Sequence, residues 1–106
     1  MLRIESKLEP QVEVWVTESL DTGYTVYREL GPGFRELIYN RAYCLELSKR
    51  GIPFEAVLIE IKAVPRLRLI HRAQALSYLK TLNLKVALVM NFGGATFKGN
   101  VKRVVL

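Results

Sequence analysis

From Ala56 to Val64 the chain reads Ala-Val-Leu-Ile-Glu-Ile-Lys-Ala-Val, apolar and β-branched apart from two charges. Such a run predicts a buried strand, placed at the centre of a sheet. Side chains alternate across a strand, so Glu60 and Lys62 share one face with Leu58 and Val64, while Val57, Ile59, Ile61 and Ala63 share the other. Upstream, Val12 to Val16 alternates briefly, as a short strand or the approach to a helix. Thr17 is a candidate N-cap, and Leu20, Tyr24, Tyr27 and Leu30 recur at helical spacing, predicting a helix from Glu18 to Leu30 that ends at Gly31-Pro32-Gly33. A second helix is expected over Phe34 to Arg50, with Phe34, Ile38, Ala42 and Leu45 as its apolar stripe and Gly51 as its left-handed stop. Its other face carries Glu36, Tyr39, Asn40 and Tyr43. After the break at Pro65-Arg66-Leu67, a third helix is expected over Leu69 to Leu82, with Ile70, Ala73, Leu76 and Leu79 inward and Asn83 as its stop. Lys85 to Asn91 reads as a buried strand, Phe92-Gly93-Gly94 as a turn, and Val101 to Leu106 as an edge strand. Strand, helix, strand in that order predicts a parallel βαβ unit.

The chain has 106 residues, half of them hydrophobic, which suits one small α/β domain with a single core. No apolar run reaches the roughly 18–20 residues of a membrane span, and Met1 to Val16 lacks the pattern of a secretory leader. The expectation is a cytoplasmic protein without a membrane partner. Cys44 is the sole cysteine, which excludes an internal disulfide and a cysteine-based metal site. The net charge of +6 is unevenly placed: every carboxylate side chain lies between Glu5 and Glu60, and the chain after Glu60 carries only basic charge. This asymmetry favours a polyanionic partner, nucleic acid first.

An acid and an amine on one face of an apolar strand are costly to bury unless each finds a partner. A charge ladder on an exposed sheet is one reading of Glu60 and Lys62. The other is a site in which the carboxylate holds Mg²⁺ and the amine orients water or steadies a phosphate. His71, Gln74 and Tyr78 share one face of the third helix, His71 read there as structural.

Gly33-Phe34-Arg35-Glu36-Leu37-Ile38-Tyr39 has the form Gly-x-x-Glu-x-x-Tyr. With Gly51 to Glu55, Val57 to Val64, His71 to Leu79 and Val86 to Gly93 following in order, residues 17–106 resemble the bacterial GxxExxY protein family of the PD-(D/E)xK nuclease-like superfamily, residues 1–16 being a lead-in. The resemblance implies a restriction-endonuclease-like core, a small mixed sheet flanked by helices. It also implies roles: Glu36 and Glu60 as metal ligands, Lys62 as the catalytic lysine, and Gln74 and Tyr78 as the Gln-x-x-x-Tyr pair lining the site, with Mg²⁺ as cofactor.

One departure qualifies this. Members of that family carry a β-hairpin between the Gly-Ile-Pro-Phe-Glu segment and the Glu-x-Lys strand, and its second strand supplies a metal-binding aspartate. Here Glu55 runs directly into Ala56, and the only aspartate, Asp21, lies far upstream. A substitute carboxylate from Glu13, on Val12 to Val16 added as a strand, is disfavoured. The expectation is a truncated, nuclease-like, nucleic-acid-binding protein with weak Mg²⁺ binding and impaired hydrolysis. The alternative is a non-enzymatic interaction module. Loss of two strands also bares a sheet edge, which favours a homodimer.

Overall fold

The computed structural model describes residues 8–52 and 57–106. The expectations for Met1 to Lys7 and for Pro53 to Ala56, including the Glu55–Ala56 junction, lie outside the described residues. Three helices, α1 (Pro10–Leu30), α2 (Glu36–Arg50) and α3 (Leu69–Leu82), flank a sheet of three strands, β1 (Leu58–Lys62), β2 (Val86–Asn91) and β3 (Val101–Val105). The sheet order is β1-β2-β3, with β1 parallel and β3 antiparallel to β2. The α/β class and the parallel β1-α3-β2 unit are as the pattern predicts. No helix among the described residues is long and apolar enough to cross a membrane.

Alternation divides the sheet into two cores. Val86, Leu88 and Met90 join Val57 and Ile61 beneath α1 and α2. Ala87 and Val89 meet Ala75, Leu79 and Val104 beneath α3, with Leu58 packed alongside. Glu60 and Lys62 share the face of Leu58, the α3 side, as the sequence predicts. Their strand, however, is not central. Among the described residues β1 pairs on one side only, and the fully buried β2 holds the middle. The reason is visible in composition: β2 carries no charge from Val86 to Asn91, so it alone suits two covered faces and two paired edges.

The helices correct three further expectations. α1 begins at Pro10, not at Glu18, so Val12 to Val16 is helix. Proline suits the first turn, where its missing N–H has no partner to lose. Thr17 lies inside the helix, its hydroxyl donating to the Glu13 carbonyl at 3.2 Å. Gly23 is required in α1 because a Cβ there would sit 2.8 Å from Met90 Sδ and from the Phe97 ring. Of the expected stripe on α2, which begins at Glu36 and not at Phe34, only Ala42 packs against the core; Phe34, Ile38 and Leu45 are exposed, and Tyr39, Tyr43 and Leu47 are buried at spacings of four. Both tyrosines bury their rings because their hydroxyls find backbone acceptors, Tyr39 on Gly31 at 2.6 Å and Tyr43 on Ser19 at 2.9 Å. On α3 the buried residues are Ala75 and Leu79, while Ile70 is 61% exposed. A repeat of three drifts around a helix: Ile70 and Leu79 are two and a half turns apart and so face opposite sides.

Asn91 ties the end of β1 to β2. Its Oδ1 accepts from the N–H groups of Val64 (2.9 Å) and Gly93 (3.0 Å), and its Nδ2 donates to Val64 O and to Asn100 Oδ1, both at 2.8 Å. The carboxamide stands in for a strand residue and carries the β1–β2 ladder one step past Lys62. Gly93 belongs to the same arrangement, since a Cβ there would strike the Val64 backbone, 2.7 Å from its nitrogen.

Candidate functional site

Register defines the site. Glu60 pairs with Val89, and Val89 with Lys102. Paired residues point the same way, so Glu60, Val89 and Lys102 form a row on the α3 face, two strand spacings or roughly 10 Å from end to end. The start of α3 lies over the Val89–Lys102 part of that row. There Leu67, Arg68, Leu69, His71 and Arg72 join Val89 and Lys102 around a cavity of about 290 Å³. Its floor is apolar and its polar groups are cationic. The positive end of α3, with no acidic residue in its first turn, adds to the same potential. His71 has a structural role here: its Nδ1 accepts the Arg68 backbone N–H at 2.9 Å and closes the helix start.

At the other end of the row, Glu60 is half-buried. Burial pushes its carboxyl above the usual carboxylate range, Lys62 draws it down, and the charge of Glu36 pushes it up again. Glu36, exposed in the first turn of α2, is thus brought within electrostatic reach of Glu60. Among the described residues Glu60 and Lys62 form no direct ion pair; the ion pairs join Arg50 to Glu18 and Glu46, and Arg103 to Glu13. Gln74 and Tyr78 are exposed on α3. They lie eight and four residues before Leu82 on one side of the helix, and Leu82 lines the groove beside β1. The structure therefore couples Glu36, Glu60 and Lys62 and leaves Gln74 and Tyr78 on the open side of α3.

A raised carboxyl makes Glu60 a group that favours the folded state only when protonated. Its stabilising contribution is present below the ordinary carboxylate range and is lost as pH rises through the folded-state value. Glu60→Gln should therefore melt slightly higher than the parent at neutral pH in dilute solution. The gap should close as pH falls below that range; a Tm difference that does not change with pH would contradict the burial effect.

Two features of the site depend on tertiary structure. Arg68 and Arg72 are four apart at the start of α3, a signal that was present, but their meeting with Lys102 depends on the β2–β3 register. Conversely, Arg103, grouped by charge with the other basic residues, is held by Glu13 of α1 through both terminal nitrogens. That pairing raises the Arg103 guanidinium further and removes Glu13 as a substitute ligand.

The structure is thus a small mixed-sheet α/β domain with a Glu-x-Lys strand, a carboxylate on a flanking helix and a cationic cavity on one sheet face. A family profile for the PD-(D/E)XK nuclease superfamily matches residues 13–57 and 54–104, and the chain belongs to that superfamily. The match falls into two segments that meet at residues 54–57. No curated protein and no solved structure matches the chain. Nucleases of the superfamily usually use divalent metals such as Mg²⁺. The donors fit such an ion in part: Glu36 and Glu60 are hard oxygen ligands of the right kind, but no cluster of three His, Cys, Asp or Glu occurs among the described residues.

Proposed function

We propose that this protein is a nucleic-acid-binding domain of nuclease ancestry, of the GxxExxY type, in which phosphodiester hydrolysis is lost or severely reduced. The observation that carries the binding is the cavity of Arg68, Arg72 and Lys102 set in the same face as Glu60. Three cations around an apolar floor suit phosphate oxygens outside and a sugar or base within. The loss of hydrolysis is supported by the two-carboxylate donor set. It is also supported by the division of the family match into two segments that overlap at residues 54–57; a hairpin missing between Glu55 and Ala56 would divide the match there. Glu36 and Glu60 would hold Mg²⁺ weakly; a bound ion supplies charge stabilisation to phosphate oxygens. Lys62 would then steady a phosphate, and Gln74 and Tyr78 would border the strand of nucleic acid.

Binding is tested by fluorescence anisotropy with short single- and double-stranded DNA and RNA. Affinity should fall steeply as salt rises, and a flat salt dependence would count against the reading. For the metal, Mg²⁺ or Mn²⁺ should raise the Tm of the parent and leave Glu60→Ala unmoved; no shift in either means that the site has not survived. More than trace cleavage of any of the oligonucleotides would overturn the loss of hydrolysis. A second reading, an interaction module acting through a sheet edge, is favoured by one observation, the position of β1 at the edge.

A further inference from the structure

The outer edge of β1 has a definite hydrogen-bonding phase. Phe92 N–H donates to Lys62 O at 2.9 Å, so the backbone groups of Lys62 face β2, as do those of Glu60 and Leu58 in alternation. The N–H and C=O groups of Ile59, Ile61 and Ala63 therefore face outward. Asn91 keeps Val64 in the ladder, and so holds Ala63 extended with them. Beside this edge runs an apolar groove of about 270 Å³, lined on the α2 side by Tyr43, Cys44 and Leu47 and on the α3 side by Leu82. An edge of this kind is a template for another strand.

The charges select the occupant. For a second β1 laid antiparallel, the phase allows only registers in which the outward residues meet one another. A twofold axis at Ile61 places Ile61 against Ile61 of the second copy and Ile59 against Ala63, each a hydrogen-bonded pair. It also places Glu60 directly opposite Lys62 of the second copy, and Lys62 opposite its Glu60. These are non-hydrogen-bonded positions, where side chains on one face approach most closely. The next register toward the N-terminus would set Glu60 against Glu60 and is excluded by repulsion. We propose that the chain forms a twofold dimer through antiparallel pairing of β1 with β1 about Ile61, making one continuous sheet in which each Glu60 is neutralised by Lys62 of the other copy. The strand's Glu-x-Lys is self-complementary in this arrangement, and it gives two charges that form no direct ion pair among the described residues a partner in trans. Such an interface is isologous and closed. It does not require nucleic-acid binding, and by engaging Glu60 and Lys62 with each other in trans it competes with the Mg²⁺ and phosphate roles proposed for them.

Charge exchange at the two positions tests this by sedimentation or light scattering. The parent should be dimeric. Glu60→Lys sets lysine against lysine twice, and Lys62→Glu sets glutamate against glutamate twice; each should weaken association by roughly tenfold or more. An equimolar mixture of the two variants faces opposite charges at both positions and should regain the dimer as a heterodimer. The double variant Glu60→Lys/Lys62→Glu should regain it as a homodimer. Restoration by mixing also guards against misfolding as the cause of the single-variant loss. A monomeric parent at hundreds of micromolar, single variants that associate as tightly as the parent, or a mixture that stays monomeric would each overturn the proposal.

Discussion

Replacing Asn91 with alanine should destabilise the fold by about 3 kcal/mol or more, a large part of the 5–15 kcal/mol typical of a whole domain. The carboxamide is fully buried, and four polar groups depend on it: the N–H and C=O of Val64, the N–H of Gly93 and the side chain of Asn100. Alanine removes their partner and admits no replacement from the neighbouring Phe92 or Gly93. A buried group left unsatisfied costs about 1–3 kcal/mol, and these part-buried partners of a buried carboxamide reach the lower part of that range each. Guanidinium unfolding should show a lower midpoint with an unchanged slope. Asn91→Asp separates hydrogen bonding from shape. It is nearly isosteric, but it loses the donor to Val64 O and Asn100 Oδ1 and brings a negative charge against both. It should be destabilised at least as much as alanine at neutral pH and recover partly in acid. A neutral effect of either variant would mean that β1 holds its place without the carboxamide. Because among the described residues of one chain β1 pairs only with β2, the same loss should loosen the strand that carries Glu60 and Lys62.

The sequence was informative where a single element decides the outcome. The strand β1, its two faces, the parallel crossover to β2 and the stop at Gly51 all follow from alternation, apolar runs and the left-handed freedom of glycine. The elements whose inward side depends on a neighbour were less legible. Tyr39 and Tyr43 read as a half-polar stripe because nothing in the chain announces that the carbonyls of Gly31 and Ser19 wait for their hydroxyls. Ile70 and Ala73 read as core because an apolar residue every third position imitates a stripe over a short helix. The hydrophobicity of β1 suggests a central strand, yet it belongs equally to an edge strand with one face under helices and a groove beside it. For the site, Glu36, Glu60 and Lys62 were identified by their place in a motif, and the structure couples their charges. The cation cavity was not, because its third member comes from β3 and only the register brings Lys102 to Val89.

That cavity makes the second large expectation. Neutralising Arg68, Arg72 and Lys102 together should lower affinity for DNA and also flatten its dependence on salt. Each phosphate contact contributes a slope of about −0.9 for duplex and −0.7 for single strands in log affinity against log salt, so three contacts account for roughly 2–3 in slope. Over a fourfold rise in salt, the parent should lose roughly 20- to 40-fold more affinity than the triple variant. A control must remove equal charge elsewhere. Lys49 lies in the last turn of α2, Lys80 in the last turn of α3 and Lys85 just before β2, all exposed and away from the start of α3. Replacing these three with alanine leaves the net charge equal to that of the cavity variant. If binding is a diffuse effect of total charge, the two triple variants will behave alike, and the cavity will have no special part. If phosphates seat at Arg68, Arg72 and Lys102, the control will keep most of the slope and the cavity variant will not. Arg103→Ala offers a further contrast, because its guanidinium is already engaged by Glu13 and should contribute little to either quantity.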